Sequence, residues 1–136
     1  MRNFLFFFLF ACACSIPNLE NPACSEAREI VKEFYSYHFA EDMNFSAEKL
    51  KEKERYLTET FSESLNQIQT NGDVFTTGDT DFPKAFSIGR CEVIEENRAK
   101  VEVLLFWKDE NRAEQRKINV FVLRKQNSWL IDGIER

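Results

Sequence analysis

Residues 101–107 read VEVLLFW, and this stretch decides the fold. Apolar side chains occupy every second position from Val101 to Trp107, while Leu104 and Phe106 place further apolar groups between them. Successive side chains of a strand point to opposite faces of its sheet, so period-two spacing is typical of a strand. The stretch therefore predicts a strand that is covered on both faces.

Three further segments share this period-two pattern, at residues 86–93, 118–123 and 129–134. The connections between the four strands are short enough for antiparallel hairpins, and the turns are predicted at residues 95–98, 109–113 and 126–128. The second half of the chain is thus predicted to be a four-stranded antiparallel meander.

The first half of the chain has the hydrophobic period of helices. One helix is predicted from Ser25, its N-cap, to about Ala40, and a second over residues 47–56. A third helix follows Thr58 as N-cap and ends near residues 71–72. Helices followed by strands indicate an α+β fold, with three N-terminal helices packed on the four-stranded antiparallel sheet.

The N-terminus has the pattern of a secretory signal. A short basic start precedes an apolar run from Phe4 to Ala13, which is too short to cross a bilayer as a helix. Ala11 and Ala13 are small residues that a signal peptidase accepts, and Cys14 follows at once, as in a bacterial lipobox. We therefore predict a lipoprotein-type signal peptide over residues 1–13, with the lipid attached to Cys14.

Two alternatives at this terminus stay open. A competing register makes Cys12 the lipidated residue, and ordinary cleavage would leave no lipid at all. Residues 14–23, which contain two prolines, are predicted to be a tether between the lipid and the body. Residues 24–136 are predicted to form one domain.

The net charge of the chain and its lack of known catalytic motifs reduce the number of possible functional classes. The formal net charge of -5 at pH 7 disfavours nucleic acid as a partner, so the expected membrane contact is the N-terminal lipid alone. The sequence contains no P-loop, dinucleotide fingerprint or GxSxG motif, and it predicts no cofactor. His38 is the single histidine, so no histidine-based metal cluster is predicted.

Four segments together resemble a known class of proteins: residues 27–39 (AREIVKEFYSYHF), 57–65, 71–83 (NGDVFTTGDTDFP) and 129–134 (WLIDGI). Their order is similar to that of nuclear transport factor 2-like proteins, in which a curved sheet wraps the first helix as a cone. Within that class the chain most resembles domain-of-unknown-function family 3828, small bacterial exported or lipid-anchored proteins. The resemblance implies the cone fold and a location on the periplasmic side of the bacterial cell envelope, or secretion, and it implies no reaction.

Three residues are candidates for a site in the cone. His38 lies on the apolar face of the first helix and would point towards the mouth of the cone, where it would act as a general base. Asp132 in the last strand or Tyr35 would orient it. The alternative is a packed, hydrogen-bonded core histidine.

Three other acidic residues are predicted to be solvated turn residues because their spacing lacks the terminal Glu of a calcium loop: Asp73, Asp79 and Asp81.

Cys24 and Cys91 are the two thiols left in the body of the protein. In an exported protein they are expected to pair as a disulfide. Closing so long a loop would raise the free energy of unfolding by about 4 kcal/mol, because it restricts the unfolded chain. The alternative is a free thiol at Cys24 and a small buried apolar residue at Cys91.

The outer face of the two central strands is predicted to be an apolar patch that a second protein covers. Its members are Leu104, Phe106, Phe121 and Leu123. We predict a homodimer through this face.

Two functions follow from the sequence. The leading hypothesis is an exported, lipid-anchored binding or scaffolding module without catalysis, which holds an unknown protein or small-molecule ligand. The alternative is a small-molecule isomerase or dehydratase that uses a pocket in the cone. A third hypothesis, an antagonist of a secreted toxin or enzyme, would place an acidic patch on helices two and three.

Overall fold

The computed structural model describes residues 20–136, and its helices precede its strands. The elements are α1 Pro22–Phe39, α2 Ala47–Lys53 followed by a 3-10 turn Glu54–Tyr56, α3 Glu59–Asn66, β1 Ala85–Glu95, β2 Arg98–Lys108, β3 Ala113–Lys125 and β4 Ser128–Glu135. The predicted signal peptide, both lipidation candidates and the first part of the tether lie outside the described residues. Among the helices of residues 20–136, none has the length and apolar character to cross a membrane.

The first helix begins earlier than the sequence predicted, inside the segment expected to be tether. Asn21 is the N-cap, and its side-chain oxygen accepts a hydrogen bond from the Ala23 N–H at 2.9 Å. Pro22 takes the first helical position, where its fixed φ suits the helix and its missing N–H costs nothing. Ser25 is therefore not the cap, and its hydroxyl donates to the Glu20 carboxylate instead.

The third helix is shorter than predicted, because α3 ends at Asn66 rather than near residues 71–72. The Asn-Gly pair belongs to the following loop. The backbone at Gly72 approaches the Gly78 carbonyl so closely that a Cβ there would lie 1.9 Å from its oxygen. Gly72 therefore closes a loop, whereas the sequence analysis assigned it to the end of a helix.

The sheet has the predicted meander order β1-β2-β3-β4, with every neighbouring pair antiparallel. The β3–β4 hairpin closes through Gln126 and Asn127, both with positive φ, as a two-residue turn that follows the sheet's twist requires. Helix α1 contacts both edge strands, β1 and β4, as well as β2, so the sheet curves around it. The predicted α+β fold with a curved four-stranded sheet is confirmed.

The core lies between α1 and the inner face of the sheet. Its most deeply buried side chains are almost all apolar. They come from α1 and from the period-two positions of the strands that the sequence identified: Val31, Phe34, Tyr35, Val101, Val103, Leu105, Val120, Val122 and Ile131. The outer face is mixed. Leu104 lies opposite Lys117, and Phe121 lies opposite Lys100. The apolar side chains expected on this face are half-buried and interspersed with basic ones.

Candidate functional site

The histidine of α1 is paired with a loop carboxylate at the mouth of the cone. His38 lies in the last turn of α1 and is 2% exposed. Its Nε2 lies 2.9 Å from each carboxylate oxygen of Asp73, which is 1% exposed. The partner of His38 is thus Asp73 and not Asp132.

The burial of Asp73 contradicts the prediction that it is a solvated turn residue. Besides His38, its carboxylate accepts hydrogen bonds from the Phe75 N–H at 3.0 Å and from the Thr76 hydroxyl at 2.7 Å. Its backbone carbonyl also accepts from the Gly78 N–H at 2.8 Å. The loop folds around the carboxylate, because a buried charge needs such partners. The other two aspartates of this segment are exposed, as predicted.

Tyr35 holds the same loop rather than the imidazole. Its buried hydroxyl donates a hydrogen bond of 2.6 Å to the Phe75 carbonyl. Burial, together with the nearby negative charge of Asp73, raises the pKa of the Tyr35 phenol well above its ordinary value. The phenol therefore stays protonated at neutral pH and is a fixed hydrogen-bond donor.

Aromatic rings enclose the imidazole. Phe34 lies parallel to the His38 ring with centroids 5.9 Å apart, and Phe75 meets it edge-on at 5.2 Å. Phe39 packs from a third side at 6.1 Å. Nδ1 of His38 is buried and has no hydrogen-bond partner within residues 20–136. A general base must reach the proton that it abstracts, and these rings leave no such approach.

The C-terminal residue closes the loop from the outside. The Arg136 guanidinium donates to the Thr76 carbonyl at 3.0 Å and to the Val74 carbonyl at 2.7 Å. Sequence analysis missed both Arg136 and the role of Asp73. The sequence did contain a signal for this loop, namely residues 71–83, one of the segments on which the family resemblance depends. In that segment two Asp-containing turns flank a pair of apolar residues. We call the His38–Asp73 pair, Tyr35 and Arg136 the mouth cluster.

Asp132 lies at a different contact, between β4 and the N-cap of α3. Its carboxylate accepts a hydrogen bond of 2.7 Å from the Thr58 hydroxyl, and the Thr58 N–H donates to the Ile131 carbonyl at 2.9 Å. A register shift between β3 and β4 leaves Asp132 outside the strand pairing. The structure therefore does not bring Asp132 to His38, and the proposed catalytic pair does not form.

Cys24 and Cys91 are joined by a disulfide, with their Cα atoms 5.6 Å apart. The bond links the first turn of α1 to β1. Within residues 20–136, no three His, Cys, Asp or Glu side chains are arranged to hold a metal ion.

Solved structures share this architecture. A crystal structure of a protein of unknown function from Bacteroides thetaiotaomicron matches with a TM-score of 0.58 and 22% sequence identity, over 82% of this chain and 90% of that one. An Ntf2-like potential transfer protein, TraM, from the Gram-positive conjugative plasmid pIP501 matches with a TM-score of 0.53 and 18% identity, over 80% of this chain and 89% of that one. The fold is nuclear transport factor 2-like.

These likenesses establish the fold alone, because both identities are low. No protein-family model matches the chain, and no curated protein matches it. In this example of the nuclear transport factor 2-like fold, the mouth of the cone is filled by a folded loop and by aromatic rings.

Proposed function

We propose that the protein is an exported binding or scaffolding module, held at the bacterial cell envelope by an N-terminal lipid, and that it binds partners at its surface without catalysis. The observation that carries this proposal is the filled mouth of the cone. His38, the only histidine, is enclosed by rings, and its Nε2 is hydrogen-bonded to Asp73. The isomerase or dehydratase hypothesis needs His38 as the general base and Asp132 as the carboxylate that orients it. His38 is enclosed and Asp132 binds Thr58, so neither residue is in position for that role.

Export is supported by two independent features. The apolar run that ends before Cys14 has the pattern of a lipoprotein signal. The Cys24–Cys91 disulfide suits an oxidising compartment such as the periplasm. Membership of domain-of-unknown-function family 3828 is part of the same proposal, supported by the order of the four segments that resemble it.

Lipidation would set the orientation of the body. From Cys14 to the start of the described chain at Glu20 there are six peptide steps, which span at most roughly 20 Å when extended. The first turn of α1 would therefore stay close to the bilayer surface, and the opposite end of the sheet would face away from it.

The outer face of the sheet offers one surface for association. A hollow of about 480 Å³ lies beside Phe106, where Ala85 and Ala113 leave space that larger side chains would fill. We propose a homodimer through this face. Sedimentation that shows only a monomer at micromolar concentration contradicts that interface.

The test of anchoring is metabolic labelling of the full chain in a bacterial host with an alkynyl fatty acid. We expect label in the wild type and in Cys12→Ser, and none in Cys14→Ser, because acylation requires the cysteine that becomes the mature N-terminus. Label that is lost in Cys12→Ser and kept in Cys14→Ser assigns the other register. A wild-type protein without label overturns the lipid anchor.

The same preparation tests export through the disulfide. The intact mass of wild type should rise on reduction by the mass of two hydrogens, since one disulfide opens. Two free thiols at Cys24 and Cys91 before reduction contradict the proposed compartment.

A further inference from the structure

The outer face of the sheet has an apolar hollow at one end and a protruding isoleucine at the other. The hollow measures about 480 Å³, and the small side chains of Ala85 and Ala113 leave it open. We call it the outer hollow. At the other end of β1, Ile94 lies in a register shift opposite no residue of β2 and is 43% exposed. Val93 before it pairs with the buried Ala99, so Ile94 points away from the core.

The charges beside these two features are opposite in sign. Glu95 and Glu96 follow Ile94 in the β1–β2 hairpin, whereas Lys108 lines the outer hollow and Lys84 comes directly before β1. All four are exposed, and none forms an ion pair with another residue between 20 and 136. The isoleucine is therefore flanked by carboxylates and the hollow by ammonium groups, so the two features attract each other.

Charges between the two ends are largely balanced within one copy of the chain. The ion pairs of this region are Glu92–Lys100 at 3.3 Å, Glu102–Lys117 at 3.1 Å and, beside the outer hollow, Glu114–Arg116 at 2.7 Å. Asp109 and Glu110 lie beyond the hollow, in the turn that leads to β3. A second copy that covers the middle of the face therefore meets both signs of charge.

We propose that the outer hollow receives Ile94 of a second copy of this chain. A two-fold axis between the two outer faces, running across the strands at Glu102, reverses the strand direction of one copy. Ile94 and Ala85 are roughly 30 Å apart along β1, so the axis brings each isoleucine over the hollow of the other copy. Between these two contacts, Leu104 of each copy comes beside Phe121 of the other.

This inference rests on the proposed homodimer and states which residues meet in it. The same axis keeps both membrane anchors on one side. The Cys24–Cys91 disulfide holds the first turn of α1 to β1, which is an edge strand, and the axis runs from the β1 edge to the β4 edge. The β1 edges of the two copies, and with them the two N-termini, can therefore face one membrane.

The first test is cross-linking of the full chain, purified from the envelope fraction in neutral detergent. Ile94→Cys with Ala113→Cys, treated with a short bismaleimide, should give a covalent dimer, because the two positions are far apart within one copy. Ile94→Cys alone should give none, since the two isoleucines lie at opposite ends of the interface. Ile68→Cys with Ala113→Cys is the matched control, because Ile68 is equally exposed at 43% but follows α3.

The second test measures the dimer dissociation constant by sedimentation equilibrium in density-matched detergent. Ile94→Asp should weaken dimerisation at least about tenfold, because it would bury a carboxylate in an apolar hollow, and Ile68→Asp should change it less than about twofold. Ala113→Trp, which fills the hollow of each copy, should also weaken it at least about tenfold. Circular dichroism confirms that each variant has folded.

Charge reversal tests the pairing of the two ends. Glu95→Lys with Glu96→Lys should weaken dimerisation about tenfold or more, and so should Lys84→Glu with Lys108→Glu, because each change places like charges together. All four substitutions in one chain should restore the dissociation constant to within about threefold of wild type. No restoration would overturn the proposed pairing.

The remaining outcomes separate this inference from the proposed homodimer. A dimer that sediments as such but gives no covalent product with Ile94→Cys and Ala113→Cys keeps the homodimer and removes this contact, as does a covalent dimer of Ile94→Cys alone. An outer hollow that instead serves another protein or a small apolar ligand would leave dimerisation of Ala113→Trp unchanged, which also overturns the inference. A wild-type monomer removes both, and the lipid anchor stays subject to its own labelling test.

Discussion

The mouth cluster and helix α3 both carry carboxylates, but in opposite surroundings. At the mouth, the Asp73 carboxylate is 1% exposed and accepts hydrogen bonds from His38, the Phe75 N–H and the Thr76 hydroxyl. On α3, Glu59 and Glu63 are exposed, and neither makes an ion pair with another residue between 20 and 136. The first carboxylate is held by hydrogen bonds of the protein, and the other two are exposed to solvent.

The difference follows from the cost of removing charge from water. An ionised group in the interior costs several kcal/mol unless hydrogen bonds replace the lost solvent, so a buried carboxylate persists only inside a complete set of partners. A surface carboxylate keeps its water and can stay unpaired. A histidine beside a carboxylate can therefore be structural.

The largest expected effect is at the mouth cluster, where Asp73→Ala should lower the free energy of unfolding by about 3 kcal/mol or more. The substitution leaves the His38 Nε2, the Thr76 hydroxyl and the Phe75 N–H buried without their acceptor. Urea denaturation followed by tryptophan fluorescence measures the change.

Asp73→Asn is the control for this prediction. The amide oxygen can still accept from the Phe75 N–H, so the loss should be smaller than for Asp73→Ala. A loss below about 1 kcal/mol in the alanine variant would show that the loop does not depend on this carboxylate, and the contrast with the exposed carboxylates of α3 would fail.

The sequence predicted those parts of the structure that depend on the local spacing of apolar residues. Alternation from Val101 to Trp107 predicted β2 and its buried inner face, and the period of α1 placed His38 on the buried side. The other face of β2, expected to be covered, is half-buried. The pairing of His38 with Asp73 had no such signal, because it joins a helix to an irregular loop 35 residues away. Loop residues have no repeating pattern that tells burial from exposure.

The candidate pair of His38 and Asp132 failed for a related reason. Strand alternation correctly placed Asp132 in the last strand, but the register shift that turns it towards Thr58 is a local irregularity. The exposed carboxylates of α3 were visible in the sequence, since an acidic patch on helices two and three was one hypothesis.

A smaller effect is expected from Tyr35→Phe, which removes the hydrogen bond to the Phe75 carbonyl. The free energy of unfolding should fall by about 1–2 kcal/mol, because a buried carbonyl loses its donor. Urea denaturation at neutral pH measures this. No loss would show that the mouth cluster tolerates a buried carbonyl without a donor.

Tyr35→Phe should also change how the free energy of unfolding falls at alkaline pH. Burial raises the pKa of Tyr35 in the folded protein, whereas in the unfolded chain the phenol ionises near pH 10. The unfolded chain binds fewer protons above that pH, so this contribution to stability is present below pH 10 and is lost as the pH rises towards the folded pKa. Tyr35→Phe should show a shallower loss above pH 10. Tyr37→Phe is the control for a half-buried phenol on the same helix.

The smallest effect is expected on helix α3 and has the opposite sign. Glu63 lies one turn after Glu59 and in the second half of α3, where a negative charge opposes the helix dipole. Glu63→Gln removes both repulsions, so the free energy of unfolding should rise by about 0.3–0.5 kcal/mol at low salt. The gain should disappear at about 1 M salt, where charges more than roughly 3 Å apart are screened. Glu52→Gln on α2, which has lysines on both sides, should show no gain. A decrease with Glu63→Gln would mean that this carboxylate is held by contacts within the protein, as Asp73 is, and the contrast between the two regions would fail.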